Sequence, residues 1–271
     1  MLKTLLKIGA AAFFAAAFLF PFLEKEPQTK PTEKAVSKPL PSVGKKPDFA
    51  AITNVNEKKS SFFGFLNPAI AIENHRVLQE RQFLLSMKSK GSDTRNTEKH
   101  LQSAEKLAKA YQYAVPSEGI TEDWLNTMLL RVNVLPPSLV LTQAANESAW
   151  GTSRFATKAN NFFGQWCYRK GCGLVPLRRN EGATHEVAKF GSAQDSVSAY
   201  FMNVNRNRAY AELRTIRSQL EQSGQDLQSE KTALALTQGL SHYSERGQAY
   251  VDELQAMIRH NNKYWTEFGI Q

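Results

Sequence analysis

Cysteine is nearly absent from this chain, with two residues in 271. That excludes a disulfide-rich scaffold and a four-cysteine zinc site. Histidine is sparse as well. His75, His100, His185, His242 and His260 are scattered without a ligand-like spacing, so no metal and no cofactor is expected. There is no internal repeat or fibrous composition. The net charge of +9 is absent from most of the chain. The first 117 residues hold 18 Lys and Arg against 10 Asp and Glu, whereas Glu118 to the C-terminus holds 16 against 15. A nucleic-acid interface would need basic residues on the folded domain together with a recognisable motif. Neither is present, and a basic segment beside an anionic membrane accounts better for the excess.

The chain divides by composition. Met1 to Lys7 is short and basic, and Ile8 to Leu23 is sixteen residues without a charge, the pattern of an export signal. Ala15-Ala16-Ala17 offers a cleavage site, but the apolar run continues to Leu23, so residues 1–23 read as a signal peptide or a signal anchor. Sixteen helical residues fall short of a hydrocarbon core of about 30 Å, which makes a span marginal. The absence of cysteine here excludes a lipoprotein anchor. Residues 24–70 read as a flexible linker rich in Pro, Lys, Glu, Thr and Ser. It is interrupted by the apolar Phe62-Phe63-Gly64-Phe65-Leu66, which could dock on a folded domain or on a membrane. Residues 71–117 read as a helical extension, with amphipathic patterns from Glu73 to Lys90 and from Thr97 to Tyr113. From residue 118 to 271 helical patterns dominate, broken between Cys167 and Phe190 by glycines, a proline and paired arginines. The expected fold is mainly α with a small β-hairpin lobe.

The most telling stretch runs from Pro136 to Gly151. Pro136-Pro137 suits a helix start, Gly151 suits a left-handed stop, and the residues between are mostly apolar or small. Glu147 therefore sits at the C-terminal end of a buried helix, where the macrodipole opposes a negative charge. Trp150 could cover the same face and exclude water. Both effects raise a carboxyl pKa, as a general acid near neutral pH requires.

Five segments follow one another in order: Gln143-Ala144-Ala145-Asn146-Glu147-Ser148-Ala149-Trp150-Gly151, Asn160-Asn161-Phe162-Phe163-Gly164, Phe190 to Tyr200, Asn207-Arg208-Ala209-Tyr210, and Ser241 to Tyr250. Together they resemble the bacterial glucosaminidase domain of autolysins and flagellum-associated wall hydrolases. The cysteine pair after the second segment is similar to the Bax-like branch. The resemblance spans roughly residues 118–265 and implies a lysozyme-like arrangement of helices around a cleft. It further implies an endo-β-N-acetylglucosaminidase that cleaves peptidoglycan glycan strands outside the cytoplasm, in the periplasm, with the N-terminal segment at the inner membrane.

On that resemblance Glu147 is the general acid and Tyr243 a cleft residue that orients water or the substrate's acetamido group. Glu181 is the nearer candidate for a second carboxylate and Glu186 the other, with the 2-acetamido oxygen as the alternative nucleophile. Asn161, Phe162 and Gly164 look like substrate floor, Trp150 like floor or core, and Tyr250 like packing at the binding site. Cys167 and Cys172, in an exported protein, suggest a disulfide that stiffens a loop beside the cleft. Two rivals stay open. A lytic transglycosylase or muramidase also uses Glu-Ser-x-x-Gly, and a membrane-tethered wall-binding protein would need no turnover.

Overall fold

The computed structural model describes residues 41–177 and 184–269. Eleven α-helices and two 3-10 turns surround one small sheet among the described residues. The helices are α1 (Val55–Lys88), α2 (Ser92–Arg95), α3 (Glu98–Tyr111), α4 (Glu122–Arg131), α5 (Pro137–Ser148), α6 (Arg154–Ala159), α7 (Ala193–Arg206), α8 (Ala211–Gln222), α9 (Glu230–Leu236), α10 (Gln248–His260) and α11 (Asn262–Glu267). The mainly α expectation holds. The β lobe is a three-stranded antiparallel sheet rather than a hairpin, with β3 (Glu186–Ala188) between β1 (Trp166–Cys167) and β2 (Gly173–Leu174). Trp166 pairs with Val187 on one side of β3, and Leu174 pairs with the same valine on the other.

The expected boundary between a linker ending at residue 70 and an extension starting at 71 is not followed. A single 34-residue helix, α1, crosses it. Asn54 caps its start by accepting a hydrogen bond from the Glu57 N–H. Phe62, Phe63 and Leu66 are fully buried, and the helix packs on α4, α5 and α7. The physical reason is aromatic. Phe63 meets Trp150 at 5.2 Å between ring centroids, Tyr264 at 5.4 Å and Trp265 at 4.9 Å, while Phe62 meets Phe162 at 6.2 Å. The polar composition around these phenylalanines hid a segment whose apolar face belongs to the core. The cluster docks on the folded domain.

The central helix is α5. It is buried along nine of its twelve residues and packs against α1, α9 and α10. Its entry is fixed by polar contacts that satisfy the last carbonyls of α4, which a helix end leaves unpaired. The buried Arg217 guanidinium donates to the Leu130, Arg131, Asn133 and Val134 carbonyls at 3.0–3.1 Å. Arg81 donates to Leu129 and Val132 and forms a two-pronged pair with Glu221 at 2.6 and 2.7 Å. Asn74 of α1 exchanges two hydrogen bonds with the Leu135 backbone. The segment before Pro136 is thereby held from two helices, α1 and α8.

The export or anchor segment, residues 1–23, lies outside the described residues. Among the described residues no helix is long and apolar enough to cross a membrane.

Truncating one ring tests the placement of α1. Phe63→Ala is expected to lower unfolding free energy by about 3–5 kcal/mol, the usual cost of removing a buried aromatic ring. A loss under about 1 kcal/mol in urea denaturation would mean that the segment is not part of the core.

Candidate active site

Helix α5 ends sooner than its glycine suggests. Ala149 is already left-handed at φ 50°, followed by Trp150 at 56° and Gly151 at 77°. Only the third position needs glycine for space as well as conformation, because a Cβ there would collide with the Phe49 ring. This tight exit leaves Glu147 half-buried at the last turn. Trp150 packs on Phe62 and Phe63, with the Lys59 ammonium 5.1 Å from its ring centre, so it stands in an aromatic layer with α1.

Glu147 is enclosed instead by tyrosines and a glycine loop. The Tyr250 hydroxyl donates to Glu147 Oε1 at 2.9 Å. Gln143, one turn back on α5 and fully buried, donates from Nε2 to the Tyr250 hydroxyl at 3.0 Å. The Tyr200 hydroxyl in turn donates to Gln143 Oε1. The chain Tyr200–Gln143–Tyr250–Glu147 thus fixes the carboxyl from behind. Tyr243 lies parallel to Tyr250, with ring centroids 5.5 Å apart, and donates its hydroxyl to the Phe163 carbonyl at 2.8 Å. Gly164, at φ 64°, follows that carbonyl, and a Cβ on it would stand 3.8 Å from Glu147 Oε2. Glycine suits the left-handed backbone at this position, while a Cβ would make only ordinary contact with the carboxyl.

Burial is the main cause of a raised Glu147 pKa, and the Tyr250 hydrogen bond pulls in the opposite direction. The Glu253 charge adds to the rise, and Arg246 offsets part of it. Burial and the neighbouring Glu147 charge push Tyr243 and Tyr250 up as well, and Tyr210 to about 12. These phenols remain protonated donors at neutral pH.

The other expected site residues fall in different places. Asn161 is buried and its side chain is fully engaged in the loop. Its Nδ2 donates to the Gln165 and Ala188 carbonyls at 2.9 Å each, and its Oδ1 accepts from the Phe163 and Gln165 N–H groups. Phe162 is 0% exposed and packs in the core against Phe62 and Phe65. Neither side chain is exposed. They shape the loop that carries Gly164, and the buried environment explains both residue types. Glu181 lies outside the described residues. Glu186 accepts from the Gly171 and Gly173 N–H groups at 2.9 and 2.8 Å, so its carboxylate braces the loop beneath the sheet. Cys167 and Cys172 form a disulfide across that same loop, with Cα atoms 6.2 Å apart. Gln143 and Tyr200 were not singled out from the sequence. A glutamine four residues before the glutamate, on an otherwise apolar helix, was the available signal, since that spacing puts both on one face.

The family profile described as Glucosaminidase, mannosyl-glycoprotein endo-beta-N-acetylglucosaminidase, matches residues 122–263. The chain belongs to the glucosaminidase family. A relative from Escherichia coli (strain K12), Protein bax, is 33% identical over 217 residues, covering 80% of this chain and 74% of the relative. No solved structure matches. The match takes in the Glu147 helix, the Gly164 loop, the β lobe and the tyrosines of α7 and α10, so the glucosaminidase portion contains the whole enclosure described above. Membership indicates a glycoside-hydrolase type of enzyme and suggests peptidoglycan as the material acted on.

The raised pKa has a consequence for stability. With the folded value above the ordinary 4.5, the fold loses stability as pH climbs from 4.5 through the folded value, and the loss is complete above it. Glu147→Gln is therefore expected to have a higher Tm than the parent at about pH 8, with the gap closing at about pH 4. A variant less stable than the parent across the whole range would contradict the burial argument.

Proposed function

We propose that this chain is an endo-β-N-acetylglucosaminidase that cleaves the β-1,4 bond after N-acetylglucosamine in peptidoglycan, with Glu147 as the general acid. The observation that carries the reading is a carboxyl whose proton burial makes harder to remove, held on one oxygen by Tyr250 and facing Gly164 with the other. In the reaction the Glu147 proton passes to the glycosidic oxygen as the bond from C1 to that oxygen breaks and the sugar becomes oxocarbenium-like. Tyr250 then donates to the carboxylate that forms. That bond strengthens as charge develops, which favours the transition state over the ground state.

Two routes complete the reaction. Either Glu181 serves as the second carboxylate, or the 2-acetamido oxygen attacks C1 and water opens the resulting ring. Tyr243 stands parallel to Tyr250, and its hydroxyl oxygen, which donates to Phe163, keeps a lone pair for a substrate N–H or a water. Such an activity belongs outside the cytoplasm, in keeping with the export-like N-terminal sequence. Gln143 and Tyr200 act through Tyr250 and are positioning residues.

Purified peptidoglycan should acquire new reducing N-acetylglucosamine ends, identified by mass spectrometry after borohydride reduction. Glu147→Gln should lower turnover by at least about a hundredfold, in line with loss of a general acid. Reducing muramic or anhydro-muramic ends would replace this reading with a muramidase or lytic transglycosylase. Undiminished turnover by the variant would remove Glu147 from its role.

A further inference from the structure

A concavity opens beside the end of α5, lined by the residues on either side of Glu147 in the chain, Asn146 and Ala149 among them. It has a volume of about 630 Å³, within the range of ligand-binding clefts. Its walls come from Asn146 at the end of α5 and Trp150 just beyond it, Lys59 in the second turn of α1, and α10 from Glu253 to His260, with Asn261 after it. Asn146 and Glu253 connect the cavity to the acid, since both line it while Asn146 directly precedes Glu147 in α5 and the Glu253 charge acts on the Glu147 carboxyl.

The cavity's charges are unbalanced. Glu253 is occupied by Arg246, with Nη1 to Oε2 at 2.6 Å. The Lys59 ammonium donates to Asn261 Oδ1 at 2.9 Å and sits over the Trp150 ring, but among the described residues no carboxylate pairs with it. Burial and the nearby Lys263 ammonium both disfavour its charge. A partly desolvated ammonium beside an aromatic face, without an acidic partner of its own, suits a carboxylate-bearing ligand with some apolar surface.

We propose that this cavity binds the stem peptide carried by the sugar on the leaving-group side of the scissile bond, with Lys59 pairing one of its carboxylates. The inference rests on the glucosaminidase reading, which puts a muramoyl residue in that position. Glu147 protonates the O4 of that sugar, and the adjacent carbon, C3, carries the lactyl ether from which the peptide extends. The peptide therefore starts beside the acid, and the cavity reached through Asn146 is where it can lie. Bound there, it anchors the leaving-group sugar and makes peptide-bearing strands the preferred substrate.

The test compares intact glycan strands with strands stripped of peptide by an amidase, using the full chain, Lys59→Met and Lys59→Arg. The parent should show a KM about tenfold lower on intact strands, equivalent to one charge-assisted contact. Lys59→Met should raise that KM about tenfold with kcat nearly constant, and Lys59→Arg should restore it. The Trp150 indole resonance should shift on adding free stem peptide to the parent and to Lys59→Arg, but not to Lys59→Met. Equal KM for both strand types, or no indole shift, overturns the proposal while reducing N-acetylglucosamine ends leave the cleavage reading standing. Reducing muramic ends overturn both, since the leaving sugar would then carry no lactyl group at C3.

Discussion

The site depends on a carboxyl group kept from water. Glu147 has a place in a crowded helix end, where solvation of its charge is poor and a proton is correspondingly hard to remove. The neighbouring phenols are themselves too buried to ionise near neutrality, so they act as fixed donors and not as competing acids. Tyr250 moderates the desolvation with a single hydrogen bond, and Gln143 and Tyr200 hold Tyr250 at the correct distance. Such a chain places a polar group inside a core without leaving its members unpaired, which would be costly.

Keeping a carboxyl there constrains the rest of the fold. Helix α5 must be buried almost all round, so it needs apolar partners on several sides, and α1 supplies one of them with its phenylalanines. The helix must also begin at a fixed place, which is what Arg217, Arg81 and Asn74 arrange at the end of α4. It must then end abruptly, so that the chain can turn back as α6 and the Gly164 loop. Three successive left-handed residues make that turn, two of them not glycine, a conformation that costs about 1–2 kcal/mol per residue without compensation. Trp150 is compensated by its ring contacts with Phe62 and Phe63.

Local signals were legible in the sequence where they are short-range. Pro137 opens α5, and the amphipathic pattern that begins at Thr97 is a helix which Thr97 caps. Glu147 stood out because a lone acid at the end of an apolar helix is physically unusual. Long-range signals were not legible. Nothing local shows that Phe63 meets Trp265 across about two hundred residues, so α1 read as a linker at its start. The Asn161 amide pointed to sugar binding by residue type, yet its four bonds go to its own loop and to β3. Tyr250 read as packing, because a tyrosine on an amphipathic helix gives no hint of which buried oxygen its hydroxyl meets.

The central claim is that Glu147 is an acid by environment, and direct titration tests it most simply. Carboxyl-carbon NMR of the glutamate-labelled chain, with Glu147→Gln to assign the resonance, would follow that one group across the pH range. The account predicts a pKa above the ordinary 4.5, rising further in Tyr250→Phe, where the hydrogen bond that favours the charged form is gone. A Glu147 that titrates at or below 4.5, or a Tyr250→Phe shift in the downward direction, would contradict it.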